Sequence, residues 1–142
     1  MNTSLETIYD RFLTKIDDAD LAQLSVEDIK FHLRQYLDDA IFTHLQPTPL
    51  CLTEYDDEGF SSEIPMELQN ILAHAMVLAW IEPKIKHDRI MRSAVSGRDY
   101  SELSNANQLK ALLDLEDRTR AKVDEFITTY FYSHETFKGF SW

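Results

Sequence analysis

Glycine and proline are scarce, with 3 and 4 among 142 residues, which leaves little material for tight hairpin turns and argues against a sheet-rich fold. A single cysteine, Cys51, excludes an intramolecular disulfide framework and points to a reducing compartment. The N-terminal MNTSLETIYD carries acids early and has no apolar run, so neither a signal peptide nor an anchor is expected there. The longest apolar run covers residues 75–81, far short of the ~20 that a bilayer span requires. A soluble protein without membrane contact is the expectation. Basic charge is also short: 25 acids against 14 bases give a net −11, which opposes any binding of nucleic acid by phosphate neutralisation.

What remains is helical in pattern. Thr3 followed by Glu6 has the form of a capping box, and Leu5, Ile8, Tyr9, Phe12, Leu13 and Ile16 then trace one apolar face up to the acids Asp17, Asp18 and Asp20. Ser25 with Asp28 predicts a second start, and Val26, Ile29, Leu33, Tyr36, Leu37, Ala40, Ile41 and Leu45 keep helical period until Pro47 and Pro49. Residues 46–64 read as an exposed acidic loop with one short strand near 50–53. Pro65 suits a first helical position, so a hydrophobic helix is predicted over 65–82, kinked or ended by Pro83. A weakly amphipathic segment over 84–96 closes at Gly97. A last helix from Ser104 or Asn105 to about Tyr132 would be roughly 40 Å long at the α-helical rise.

These spacings predict an all-α fold: a four to five helix bundle with a long C-terminal helix, an acidic loop and an extended aromatic tail. The helical domain occupies 1–132 and the tail 133–142. No internal repeat and no low-complexity tract interrupts this organisation.

Residues 68–83, LQNILAHAMVLAWIEP, carry apolar side chains on more than one helix face. Leu68, Ile71, Leu72, Ala75, Met76 and Ala79 form one stripe, while Val77, Leu78, Trp80 and Ile81 occupy the other sides. In so short a chain, other helices are expected to cover part of this rod and another copy of the protein or a partner the rest, with Trp80 at the contact between copies.

Catalytic and metal patterns are absent at the usual spacings. His32, His44, His74, His87 and His134 neither lie four residues from one another nor follow a Glu by three, so no metal is expected at helical spacing. His74, on the apolar helix, reads as a hydrogen-bonded core histidine. Glu54, Asp56, Glu58 and Gly59 imitate the start of a calcium loop, but Pro65 stands where the bidentate Glu belongs, and a solvated loop is the better reading. Phosphate loops and nucleophile elbows are missing, and Cys51 has no neighbouring His to activate it. The pairs Asp17–Asp18 and Asp38–Asp39 read as solvated helix ends. Neither an enzyme nor a cofactor is expected.

One charge feature stands out. Between Lys84 and Arg98 lie five bases (Lys84, Lys86, Arg89, Arg92, Arg98) and the single acid Asp88, so this segment carries +4 and the remainder −15 of the net −11. Two accounts are open: the bases pair with acids of their own chain, or they face an acidic patch on a neighbouring copy in a head-to-tail contact. The ending SHETFKGFSW invites the same comparison. Phe137, Phe140 and Trp142 either fold back onto the core or anchor in a partner's pocket, and the second is preferred.

Three segments, IYDRFLTKI (8–16), ILAHAMVLAWIEPKI (71–85) and SNANQLKALLDLEDRTRAKVDEFITTYFY (104–132), resemble in pattern and order a small structural protein encoded in the head-to-tail gene block of tailed bacteriophages. The resemblance implies a head-tail connector, also called an adaptor or head-completion protein: a virion neck subunit made in the host cytoplasm that forms a homo-oligomeric ring, commonly a dodecamer, between portal and tail. It also implies that a C-terminal segment meets the portal protein, here Phe137, Phe140 and Trp142, and that DNA passes through the lumen without specific binding. The longer acidic loop and aromatic ending depart from that pattern. An acidic lumen would repel DNA phosphates and let the genome slide. The alternative, from another class, is an acidic helical regulatory module that binds a host protein, in the manner of a DNA mimic.

Overall fold

A computed structural model describes residues 2–45, 50–94 and 106–132, with the side chains of 19, 20, 50, 91–94, 106 and 107 excepted. The predicted closing roles of Pro47, Pro49 and Gly97, the start at Ser104 or Asn105, and the tail lie outside the described residues.

Helix α1 (Leu5–Leu13) starts where Ser4, in extended backbone, accepts the Thr7 N–H on its hydroxyl. The cap is therefore Ser4 and not Thr3, because the Thr3 hydroxyl accepts the Ile64 N–H at 2.8 Å in a buried position. A one-turn α2 (Ala19–Ala22) follows, and then α3 (Val26–Asp39), capped as its sequence predicts by Ser25 accepting from Asp28 N–H. Beyond Asp39 the chain widens into a π turn, Ala40–His44, in which Leu45 N–H reaches the Ala40 carbonyl five residues back at 3.0 Å.

The expected short strand near 50–53 is instead a 3₁₀ turn, Leu50–Leu52. Among the described residues the only extended pairings are isolated bridges, Ser4 with Gly59 and Tyr55 with Phe60, so the all-α class holds. Asp56 takes the N–H groups of Glu58 and Gly59 on one carboxylate oxygen, which turns the acidic loop back toward the N-terminus. Leu5 N–H bonds the Glu58 carbonyl and Phe60 N–H the Thr3 carbonyl, clasping the loop to the start of α1.

Helix α4 (Met66–Ala94) does not end at Pro83: it passes through the proline and absorbs the segment expected to follow it. Proline inside a helix costs about 3 kcal/mol or more. Apolar packing on both sides offsets that cost, since Ile81 before the proline and Ile85 after it are buried. Helix α5 (Ala106–Phe131) lies along α4 and makes its most extensive contact there.

Around residues 75–81 every face of α4 is sheathed by the same chain. Residues 75–81, seven in succession, are at most 6 % exposed, and seven positions at 100° each sweep the whole circumference. Ile8 and Phe12 of α1, Leu33 and Leu37 of α3, Ile41 of the π turn, Phe60 and Ile64 of the loop, and Val123 and Ile127 of α5 join this core. The expectation that another copy must complete the cover of this rod is therefore overturned. A π turn, a loop strapped across by the Thr3–Ile64 and Thr3–Phe60 bonds, and one long helix supply it instead.

Candidate functional site

The C-terminal end of α3 meets α4 at a polar cluster. In an α-helix, residues five apart point some 140° away from each other, but the wider π turn brings Asp39 and His44 to one side. His44 Nε2 lies 3.3 Å from Asp39 Oδ2 and 2.5 Å from Glu82 Oε1 of α4. The three donor atoms fall within 4.8 Å of one another. His44's side chain is only 5 % exposed, whereas Asp39 and Glu82 are 45 % and 43 % exposed, so a buried imidazole is flanked by two carboxylates open to solvent. Nε2 is shielded from water and makes no hydrogen bond of acceptable geometry to any described residue, despite both carboxylate oxygens beside it.

A cavity of about 740 Å³ opens next to the cluster, with Asp39, Glu82, Pro83, Lys86, Arg89 and Glu116 on its walls. Ala79 lines it too, and its carbonyl has no α-helical donor because Pro83 lacks an N–H. Acids and bases are nearly balanced around this space.

The sequence-predicted contact residues fall in different places. Trp80 is 6 % exposed and its indole N–H donates to Asp18 Oδ2 at 2.9 Å, so it is an internal strut and not a face left for another copy. Lys84 pairs with the same Asp18 oxygen at 3.1 Å and sits over the Trp80 ring, which is the same-chain account of that base. Lys86 and Arg89 are exposed on α4, at the cavity. Arg92 has its backbone in α4 with its side chain outside the described set, and Arg98, Phe137, Phe140 and Trp142 lie outside the described residues.

Neither aspartate pair is a plain solvated helix end. Burial pushes the Asp18 carboxyl up, but hydrogen bonds from Trp80, Leu21 N–H and Lys84 outweigh it and hold it below its ordinary value. Asp38 receives the Tyr55 hydroxyl and Arg34 Nε on one oxygen, and Arg34 reaches on to Asp57, tying α3 to the acidic loop. His74 is half-buried, its Nδ1 is 2.9 Å from the Asn70 carbonyl, and its ring meets Phe126 edge-on. Burial pushes its pKa down, as do Lys15 and Lys122, against the Asn70 carbonyl. The Asp39–His44–Glu82 cluster escaped a search at helical spacing because its first pair is set by a π turn and its third member comes from another helix.

No protein family, no curated protein and no solved structure matches the chain. Among the described residues no helix is long and apolar enough to cross a membrane.

Proposed function

We propose that this chain is a structural virion protein, a head-tail connector whose copies assemble into a ring, of about twelve by the resemblance, between portal and tail, with DNA passing through the lumen. Three features support this reading. The segments that carry the resemblance to phage connectors lie largely in α1, α4 and α5, the long C-terminal helix being the last of them. The exposed bases Lys86 and Arg89 sit on one helix of a chain of net charge −11, which suits a heterologous contact with acids of the next copy. Hydrophobic side chains also remain at the surface, with Val26 67 %, Phe31 61 % and Phe42 55 % exposed, and are available to such a contact.

The single observation that carries the reading is the basic end of α4 in an acidic molecule. Because α4 needs no second copy for its own burial, subunit contact belongs to these charged and apolar surface patches. Phe137, Phe140 and Trp142 are assigned to portal docking. The alternative, an acidic regulatory module that binds a host protein, draws support from the self-contained core, which suits a monomer.

Light scattering on the full chain, alone and mixed with portal protein, separates the two. A high-order ring in either condition, dispersed by Lys86→Glu with Arg89→Glu, is expected. A monomer or dimer in both conditions overturns the connector. Normal docking of a Phe140→Ala, Trp142→Ala variant eliminates the tail as the portal anchor.

A further inference from the structure

We infer that Asp39, His44 and Glu82 form a binding site for one divalent transition-metal cation of the zinc class, clamping the end of α3 to α4. The donor set, one imidazole nitrogen and two carboxylate oxygens, consists of atoms that zinc accepts as ligands and would fill three of four tetrahedral positions. It is independent of the connector reading, since it concerns how two helices of one chain are joined.

The His44–Asp39 spacing matches that of two ligands on one cation. A tetrahedral site with bonds of about 2.0–2.1 Å has its ligand atoms about 3.3–3.4 Å apart. His44 Nε2 and Asp39 Oδ2 are 3.3 Å apart. Glu82 Oε1, at 2.5 Å from Nε2, has to withdraw by roughly 0.8 Å to reach that spacing. A long side chain that is 43 % exposed has room to do so.

Electrostatics gives the second argument. An imidazolium wedged between two carboxylates is expected to donate a well-aligned hydrogen bond to one of them. Nε2 donates none, although it is buried and both oxygens are within reach. Ligands of a shared metal lie off one another's lone-pair axes, because each lone pair points at the ion and not at the neighbouring ligand. A divalent cation shared by Nε2 and the two carboxylate oxygens would satisfy all three acceptors at once.

The surroundings fit an open site. Asp39 and Glu82 border the 740 Å³ cavity, which gives an entry path and places a water or an anionic ligand in the fourth position. Lys86 and Arg89 on the same wall would hold such an anion, while Glu116 offsets part of their charge. The π turn supplies the reason for the local irregularity: without it Asp39 and His44 diverge.

The test uses the full chain, stripped with a chelator and dialysed against Zn²⁺, with bound metal counted by mass spectrometry and Co²⁺ absorption reporting tetrahedral ligation. One equivalent per chain is expected. Glu82→Gln and Asp39→Asn, which keep shape in half-exposed positions, are expected to weaken uptake roughly tenfold or more. Asp56→Asn, in the acidic loop, leaves it unchanged. Circular dichroism establishes that each variant is folded, so His44→Ala is not needed to decide the matter. Failure of the native chain to take up one equivalent of either ion, or equal uptake by the Glu82 and Asp39 variants, overturns the site.

Discussion

Replacing Asp18 with Ala removes the acceptor on which three donors from two helices, α2 and α4, converge. Its Oδ1 caps the turn of α2 through Leu21 N–H at 3.1 Å, and its Oδ2 takes the Trp80 indole N–H at 2.9 Å and Lys84 Nζ at 3.1 Å. The indole is the costly partner, because Trp80 is 6 % exposed and its N–H is left without an acceptor inside the core. An unsatisfied buried donor costs about 1–3 kcal/mol, and a lost N-cap about 1 kcal/mol. The Lys84 ammonium is 36 % exposed and adds at most a few tenths of a kcal/mol in that setting. The expected loss is about 3 kcal/mol, or a fall in Tm of roughly 10 °C for a domain of this size. Asp18→Asn, which keeps an acceptor, is expected to lose about half as much. Urea unfolding followed by circular dichroism measures both. The pH dependence has a definite sign: the folded carboxyl is held below its ordinary 3.8, so its ionised contribution is whole above that value and fades as pH falls through the lowered one. The gap between wild type and Asp18→Ala therefore narrows in acid. A loss below about 0.5 kcal/mol at neutral pH would refute the claim that Trp80 depends on this carboxylate.

Two further perturbations probe other joints. In Gly59→Ala the new Cβ falls 2.4 Å from the Thr3 carbonyl oxygen and 2.9 Å from Ser4 Cα, both backbone, so the clasp must open at a cost of about 2 kcal/mol; unchanged urea stability refutes the clasp. Burial pushes the Tyr9 hydroxyl up to about 12 from 10.0, with Asp38 and Asp57 adding to the rise and Arg34 opposing it, and burial raises Tyr55 as well. Stability contributed by the protonated phenols is full below pH 10 and lost as pH climbs through the raised values. Urea midpoints should fall across that alkaline window, less so in Tyr9→Phe and least in Tyr9→Phe with Tyr55→Phe. An identical alkaline decline in the double variant removes the phenols as its cause.

Local chemistry made much of the fold readable. Ser25 caps α3 through Asp28 N–H, a contact three residues long that owes nothing to the rest of the chain. Thr3 and Ser4 show where such reasoning runs out: two adjacent hydroxyls compete for one cap, and the choice falls to Ser4 because Ile64, from beyond the acidic loop, claims Thr3. Asp18 was just as hidden, since its value lies in Trp80 and Lys84, more than sixty residues away. The candidate site was legible only as scattered residues. Asp39 and His44 fit no helical spacing, and Glu82 precedes a proline that by local rules ends its helix.

Composition, hydrophobic period and capping residues dictate a helical chain with one rod apolar on all sides, because these are properties of neighbours within a few residues. Three-dimensional packing decides how that rod is covered, why Pro83 is carried through an unbroken helix, and which carboxylates meet His44. Each of those outcomes depends on contacts between distant segments, whose energies of a few kcal/mol override the preferences of any single stretch.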